Sequence, residues 1–109
     1  TGYFNIPKVL ELTLFNGYDH TSGKQLGPKT GYGYEFESYE ELWNAFCTQM
    51  EYFLDIKIRG SLVIEKIYAE EMPVPFLSIL TNDCISRGKD YNAGGARYNT
   101  SYIQGVGIW

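Results

Sequence analysis

The sequence predicts a mostly helical segment with long loops and at most one or two strands. Apolar side chains recur at helical spacing through the middle of the chain, from residue 38 to residue 72. Residues 16–37 are rich in glycine and contain almost no aliphatic side chains, which predicts a long loop. Residues 89–109 are rich in Gly, Tyr and Asn and end in an apolar stretch, which is typical of a loop that leads into a buried strand.

The first two helices are predicted from their apolar spacing and their start signals. Residues 6–15 favour a short helix, because apolar side chains recur there and a proline occupies the first turn. A longer helix is predicted from Ser38, since Ser38 and Glu41 have the spacing of a capping box. Its apolar pattern continues past Gly60 and stops at Pro73, so either one long helix or two shorter ones fit.

A further short helix is predicted over residues 76–86. Leu77, Leu80 and Cys84 share one face of it, and Gly88 occupies the position after its end, where a left-handed conformation is common. Three helices and a long loop make an awkward free-standing domain, so we expect part of this surface to need a partner.

Composition excludes several classes of protein. With 44% hydrophobic and 20% charged residues, the chain is not expected to be disordered. A net charge of −4 with scattered Lys and Arg argues against a nucleic-acid ligand. No apolar run approaches the roughly 20 residues that span a membrane, and no secretory leader pattern is present, which predicts a cytoplasmic protein. Because there is no initial Met, we expect a piece of a longer protein.

The residues alone predict no catalytic or metal site. His20 has no Cys or second His nearby to complete a metal site, and Gly23 begins a stretch that lacks the hydroxyl of a phosphate loop. The pair Gly94–Gly95 favours a tight turn over an anion site. Cys47 and Cys84 are expected to be free, packed thiols, and the acidic pairs on the helices to be solvated.

Three stretches of the chain occur in the same order within one enzyme family: residues 1–14 (TGYFNIPKVLELTL), residues 72–78 (MPVPFLS) and residues 94–107, which contain GGARYN and IQGVG. Through them, nearly the whole chain resembles the middle of the pyruvate formate-lyase-like glycyl radical enzymes. The resemblance implies an α/β fold in which this chain is a fragment of a ten-stranded α/β barrel. It also implies that residues 1–109 form an internal segment of the barrel domain, between a cysteine loop and the glycyl radical domain.

The resemblance implies that the radical chemistry lies outside this segment. In the family, a cysteine in a Cys-x-Glu loop becomes a radical and a distant glycine stores it. Cys47 is followed by Thr-Gln and Cys84 by Ile-Ser, so neither matches. No catalytic residue is therefore expected here, and the isolated chain is expected to be inactive. No metal or cofactor is implied here, since an S-adenosylmethionine iron–sulfur activating enzyme installs the radical of the parent.

Within the family, residues 1–5 and 98–104 are most similar to the hydroxyproline dehydratases, which eliminate water from trans-4-hydroxy-L-proline to give pyrroline-5-carboxylate. The tyrosine that matches Tyr3 lines the substrate pocket there, so Tyr3 is the one substrate-binding residue that the resemblance implies. A packing role for Tyr3 stays open. The implied partners are a small-molecule substrate, the activating enzyme, the remainder of the barrel and a second copy of the parent in a homodimer.

Two alternative functions fit the same residues. In the first alternative, the parent protein is another glycyl radical lyase, such as a glycerol or diol dehydratase, a choline lyase or an arylacetate decarboxylase. In the other alternative, the chain is a stand-alone, non-catalytic binding protein. Cooperative unfolding as a monomer favours the stand-alone protein, whereas aggregation or dye binding favours a barrel fragment.

Overall fold

The structure, a computed structural model, describes residues 2–107 and divides into two compact units. The first unit comprises Thr1–Lys57 and Ile103–Trp109, and the second comprises Ile58–Tyr102.

The first unit is organised around two parallel strands, β1 (Gly2–Asn5) and β4 (Ile103–Val106). Their register places Tyr3 opposite Gln104. Strand β1 was not predicted, because a four-residue strand that leads directly into a helix is too short for a recognisable alternation.

Helix α1 (Ile6–Leu14) follows β1 without a connecting loop. The Asn5 side chain caps it by accepting a hydrogen bond from the Lys8 N–H at 3.1 Å. The helix buries Val9 and Leu12 on one side. The predicted helix over residues 6–15 is confirmed, and it ends one residue earlier than expected.

Helix α2 (Tyr39–Glu71) is a single helix of 33 residues. This confirms the predicted start near Ser38, whose hydroxyl accepts a hydrogen bond from the Glu41 N–H at 3.2 Å. In a capping box the Glu41 carboxylate would accept a hydrogen bond from the Ser38 backbone N–H. Here it accepts from the Glu37 N–H instead, at 2.9 Å. Gly60 does not interrupt the helix. A glycine inside a helix lowers its stability by only about 1 kcal/mol relative to alanine, which is too little to end a helix of this length.

Residues 16–37 form the predicted long loop, but they also contain a small hairpin. Strand β2 (Tyr18–Asp19) pairs antiparallel with β3 (Lys24–Gln25), and a 3-10 turn covers Gly33–Glu35. Two-residue strands leave no periodic pattern in a sequence, so the hairpin was not predicted.

The loop is fastened to α2 by a buried glutamine. The Gln49 side chain is fully buried, and its amide nitrogen donates to the Pro28 carbonyl at 2.6 Å and to the Thr30 hydroxyl at 2.9 Å. A buried amide held in this way specifies one position of the loop on the helix.

The hairpin turn is closed by an ion pair. Lys8 Nζ donates to Asp19 Oδ1 at 2.6 Å, and the same carboxylate accepts from the backbone N–H groups of Thr21 and Ser22. The hydrogen bond from Lys8 is the main reason why the pKa of the Asp19 carboxyl lies well below its usual range. Hydrogen bonds from Ser22 lower this pKa further. The Asp19 side chain is almost fully buried, so the pair joins α1 to the hairpin.

In the second unit the single helix predicted over residues 76–86 is wrong. Two short helices occur instead, α3 (Pro75–Leu80) and α4 (Cys84–Arg87). The break coincides with a contact to Arg97, which is distant along the chain. Thr81 is extended, and Asp83 has a left-handed φ of 75°, while its carboxylate accepts two hydrogen bonds of 2.9 Å from the Arg97 guanidinium. Gly88 ends α4 in the left-handed conformation, as predicted.

Asp90 joins the following loop to the start of α3. Its carboxylate accepts from the Ser78 hydroxyl at 2.7 Å and from the backbone N–H groups of Val74 and Asn92, both at 2.9 Å. The Ser78 hydrogen bond is the main cause that lowers the pKa of Asp90. At Gly95 a Cβ would collide with the Lys89 carbonyl, which confirms the tight turn predicted at Gly94–Gly95.

Two expectations about strands are wrong. Residues 2–107 contain four short strands, not one or two. The predicted strand at the end of the chain exists as β4, but all four of its residues are exposed, because β1 is its only neighbouring strand among the described residues.

We predict that Gln49→Met loosens the loop of residues 26–31. The substitution leaves the Pro28 carbonyl and the Thr30 hydroxyl without their donor, and such a loss costs about 1–3 kcal/mol. Hydrogen exchange in the full-length protein that carries this segment should show faster opening of these residues. Glu51→Met, which places the same side chain at an exposed position on α2, is the control. Equal exchange in both variants would contradict the anchoring role.

We predict that the stabilising effect of Asp19 depends on pH. Because the folded protein lowers the pKa of this carboxyl below its ordinary value of 3.8, the contribution is complete above that pH and is lost as the pH falls further. Asp19→Asn should therefore speed hydrogen exchange of residues 19–23 at pH 7, with a difference that shrinks on acidification below 3.8. A difference that stays constant with pH would show that the ion pair is not its cause.

Candidate functional site

The ribbon of β1 and β4 has two unlike faces, and helical residues cover one of them. A Cβ added to Gly105 would lie 2.8 Å from Cδ1 of Ile6, and one added to Gly107 would lie 2.6 Å from Cγ of Pro7. The start of α1 thus lies close against β4 and the residue that follows it, and the positive φ of 84° at Gly107 also favours glycine there.

The opposite face is open in this chain. Side chains alternate along a strand, so Tyr3 and Asn5 share this face with Gln104 and Val106, their register partners. The Tyr3 side chain is 76% exposed. Asn5 uses its carboxamide to cap α1, which leaves the Tyr3 phenol and the Gln104 carboxamide as the polar groups of this face.

The structure therefore places the predicted site residue Tyr3 on the face that points away from the helices. In α/β barrels the helices pack outside the strands, and the opposite face of the strands lines the interior. This position is compatible with a substrate-binding role. The packing role for Tyr3 stays open, because protein outside residues 2–107 can also cover its exposed ring.

The remaining candidate groups are engaged in structural contacts. The exposed His20 packs its ring edge-on against Phe15 and Tyr18, at centroid distances of 4.6 and 5.1 Å. Cys84 is buried and Cys47 is half-buried, and both are free. Across residues 2–107, no three His, Cys, Asp or Glu side chains are grouped as metal ligands would be. The acidic pairs on α2 are exposed, as expected.

A cavity of about 380 Å³ lies in the second unit, between the end of α3 and residues 96–98. Arg97 is the charged residue in its wall. Its guanidinium already binds the Asp83 carboxylate in a bidentate pair, which raises the pKa of Arg97 and lowers that of Asp83. The cation is thus neutralised by its own neighbour, and the cavity offers no unpaired charge for an anionic ligand.

The described part of the chain also has no helix that is both long enough and apolar enough to cross a membrane.

A family model described as "Pyruvate formate lyase-like" matches residues 1–109. The chain belongs to this family. The family match confirms the resemblance of residues 1–14, 72–78 and 94–107, and it identifies the chain as a mostly helical fragment of the α/β barrel of these enzymes.

Individual pyruvate formate lyase-like relatives are similar over almost the whole chain. Trans-4-hydroxy-L-proline dehydratase of Clostridioides difficile is 62% identical over 108 residues, which are 99% of this chain and 14% of that protein. The crystal structure of hydroxyproline dehydratase from the same organism, with trans-4-hydroxy-L-proline bound, matches with a TM-score of 0.93 and 61% identity. The glycerol-bound, B12-independent glycerol dehydratase of Clostridium butyricum matches with a TM-score of 0.89 and 42% identity.

Both structural matches extend over 97% of this chain but over only 13% of the matched chains. The chain thus spans about one seventh of the length of the relatives it matches.

Proposed function

We propose that residues 1–109 are an internal segment of the barrel domain of a glycyl radical dehydratase that acts on trans-4-hydroxy-L-proline. The reaction removes water from the hydroxylated ring and gives pyrroline-5-carboxylate. The observation that carries this proposal is the 62% identity to a hydroxyproline dehydratase over nearly the whole chain.

The difference between relatives supports the choice of substrate. Identity falls from 61% for the hydroxyproline dehydratase structure to 42% for the glycerol dehydratase structure, while the fold similarity hardly changes. The backbone is thus common to several substrates, and the side chains favour hydroxyproline. Function is decided by side chains at the site and not by fold alone. The alternative is that the full-length protein is another glycyl radical lyase, which acts on a different substrate.

Tyr3 is the substrate-binding residue of the proposal. It stands on the open face of β1, and its phenol can donate to or accept from a polar group of a small substrate. The radical chemistry itself belongs to a cysteine loop before this segment and a glycine loop after it. The segment contributes position: its strands hold Tyr3, and its helices support the strands from outside.

The surface supports a role as part of a larger body. Side chains at least 60% exposed include Leu80, Phe76, Ile85, Val63 and Ile79. So many large apolar side chains in water are unusual for a free-standing protein and typical of a surface that other protein covers. The remainder of the barrel is the proposed cover, which argues against a stand-alone binding protein.

The proposed full-length protein has further partners that lie outside this segment. They are an S-adenosylmethionine iron–sulfur activating enzyme, which installs the glycyl radical, and a second copy of the protein in a homodimer. A cytoplasmic location and the absence of a nucleic-acid or membrane partner complete the proposal, in keeping with the acidic net charge of −4.

We predict that Tyr3→Phe in the full-length protein slows turnover of trans-4-hydroxy-L-proline while the radical still forms. Loss of one hydrogen bond to the substrate costs roughly 0.5–3 kcal/mol, which corresponds to about a two- to hundredfold effect. Steady-state kinetics give the rate, and electron paramagnetic resonance gives the radical yield. Tyr34→Phe, at an 82% exposed tyrosine outside the ribbon, should behave like the unaltered protein. Unchanged kinetics in Tyr3→Phe would leave Tyr3 a packing role only.

We predict that the isolated chain of 109 residues has no activity. Incubated anaerobically with activating enzyme, S-adenosylmethionine and a reductant, it should give no organic radical signal and should not dehydrate trans-4-hydroxy-L-proline. The full-length protein under the same conditions is the positive control. A radical signal from the isolated chain would overturn the assignment of the radical residues to other parts of the protein.

A further inference from the structure

We propose that Gln104 is a second substrate-binding residue, and that its carboxamide lines the same pocket as the Tyr3 phenol. This inference rests on the proposed function, because it needs the open face of the β1–β4 ribbon to be the pocket side. It adds a residue on β4 to a site so far represented by β1 alone.

The strand register places the two side chains together. Tyr3 is paired with Gln104 in the parallel ribbon, so their Cα atoms are neighbours across the strands, at a typical spacing of about 4.8 Å. Paired residues in a sheet point to the same face. A ligand that touches the Tyr3 ring therefore lies within reach of the Gln104 side chain.

The other face of the ribbon excludes the opposite orientation. On that face, Gly2 lies against the end of the Lys57 side chain of α2, and Gly105 and Gly107 lie against the start of α1. At Gly105 and Gly107 this face lies close to Ile6 and Pro7 of α1. Gln104 thus projects to the side without helices, where it is exposed.

The chemistry of the carboxamide suits a small, hydroxylated amino acid. Its NH₂ group donates and its oxygen accepts, so it can bind a hydroxyl or a carboxylate without adding a charge to the pocket. Within residues 2–107 the Gln104 side chain has no hydrogen-bond partner, unlike Gln25 and Gln49, which are both held by carbonyl groups of the loop. Its hydrogen-bonding capacity is left for a group outside this segment, and the substrate is the proposed one.

The experiment uses the full-length protein with Gln104→Met and Gln104→Glu. Methionine keeps the length of the side chain and removes both hydrogen-bonding functions, while glutamate keeps the length and the acceptors but loses the donors. Ile103→Met is the matched control, because it places the same side chain one residue earlier, on the helix-covered face. Each variant is activated anaerobically, its radical yield is measured by electron paramagnetic resonance, and kcat and KM are determined separately.

We expect Gln104→Met to raise KM about tenfold, with radical yield unchanged and a smaller effect on kcat, as loss of one hydrogen bond to a bound substrate predicts. Gln104→Glu should raise KM more, since it places a negative charge near a substrate that bears a carboxylate. Ile103→Met should leave KM within twofold. If both Gln104 variants keep the KM of the unaltered protein, the inference is overturned. If Gln104→Met fails to form the radical, the KM of Gln104→Glu, compared with that of the unaltered protein, decides whether Gln104 binds the substrate.

Kinetics with glycerol and 1,2-propanediol in parallel separate this inference from the proposed function. Conversion of a diol in place of trans-4-hydroxy-L-proline by the unaltered protein would contradict the proposed substrate. The KM of each Gln104 variant for that diol, compared with the KM of the unaltered protein, would still decide whether Gln104 lines the pocket. Normal turnover of hydroxyproline together with an unchanged KM in both variants would contradict Gln104 alone.

Discussion

The parallel pairing of β1 with β4 is the constraint on which the rest of the first unit depends. It brings together residues near the two ends of the chain, whose contact closes a very long loop and therefore needs support from other parts of the unit. That support comes from α1, which begins directly after β1 and packs its first turn onto Gly105 and Gly107. Because the helix covers one face, the other face is left for Tyr3 and its neighbour on β4. The ribbon thus fixes both the supported face and the face that is proposed to bind substrate.

The short elements of this protein are held by polar contacts more than by an apolar core. Val9, Leu12 and Ala96 are among the few buried apolar side chains, whereas Gln49 and Asp19 anchor the long loop and its hairpin. In the second unit Asp90 has a comparable role beside α3. The Gln49 amide nitrogen and the Asp19 carboxylate favour this arrangement, because another arrangement would leave both without partners. The large apolar side chains that remain exposed are consistent with a segment that packs within a larger barrel.

The candidate site was predictable from the sequence only in part. Tyr3 followed from the resemblance of the first residues to the hydroxyproline dehydratases, and periodicity or spacing alone would not have selected it. Gln104 was not singled out, although glycines at alternate positions 105 and 107 were a signal that one face of this strand lies against another backbone. That signal became interpretable only when the register with β1 was known, since register decides which side chains share a face.

The sequence by itself determined the elements whose signals are local. The start of α2 at a capping serine, its end before Pro73 and the start of α1 with its proline were all predicted, because caps and apolar spacing act within a few residues. Tertiary structure decided the rest. The helix predicted over residues 76–86 is broken because Asp83 takes a left-handed conformation and binds Arg97, a distant partner along the chain. The pairing of Tyr3 with Gln104 likewise depends on contacts between remote segments, which no local pattern encodes.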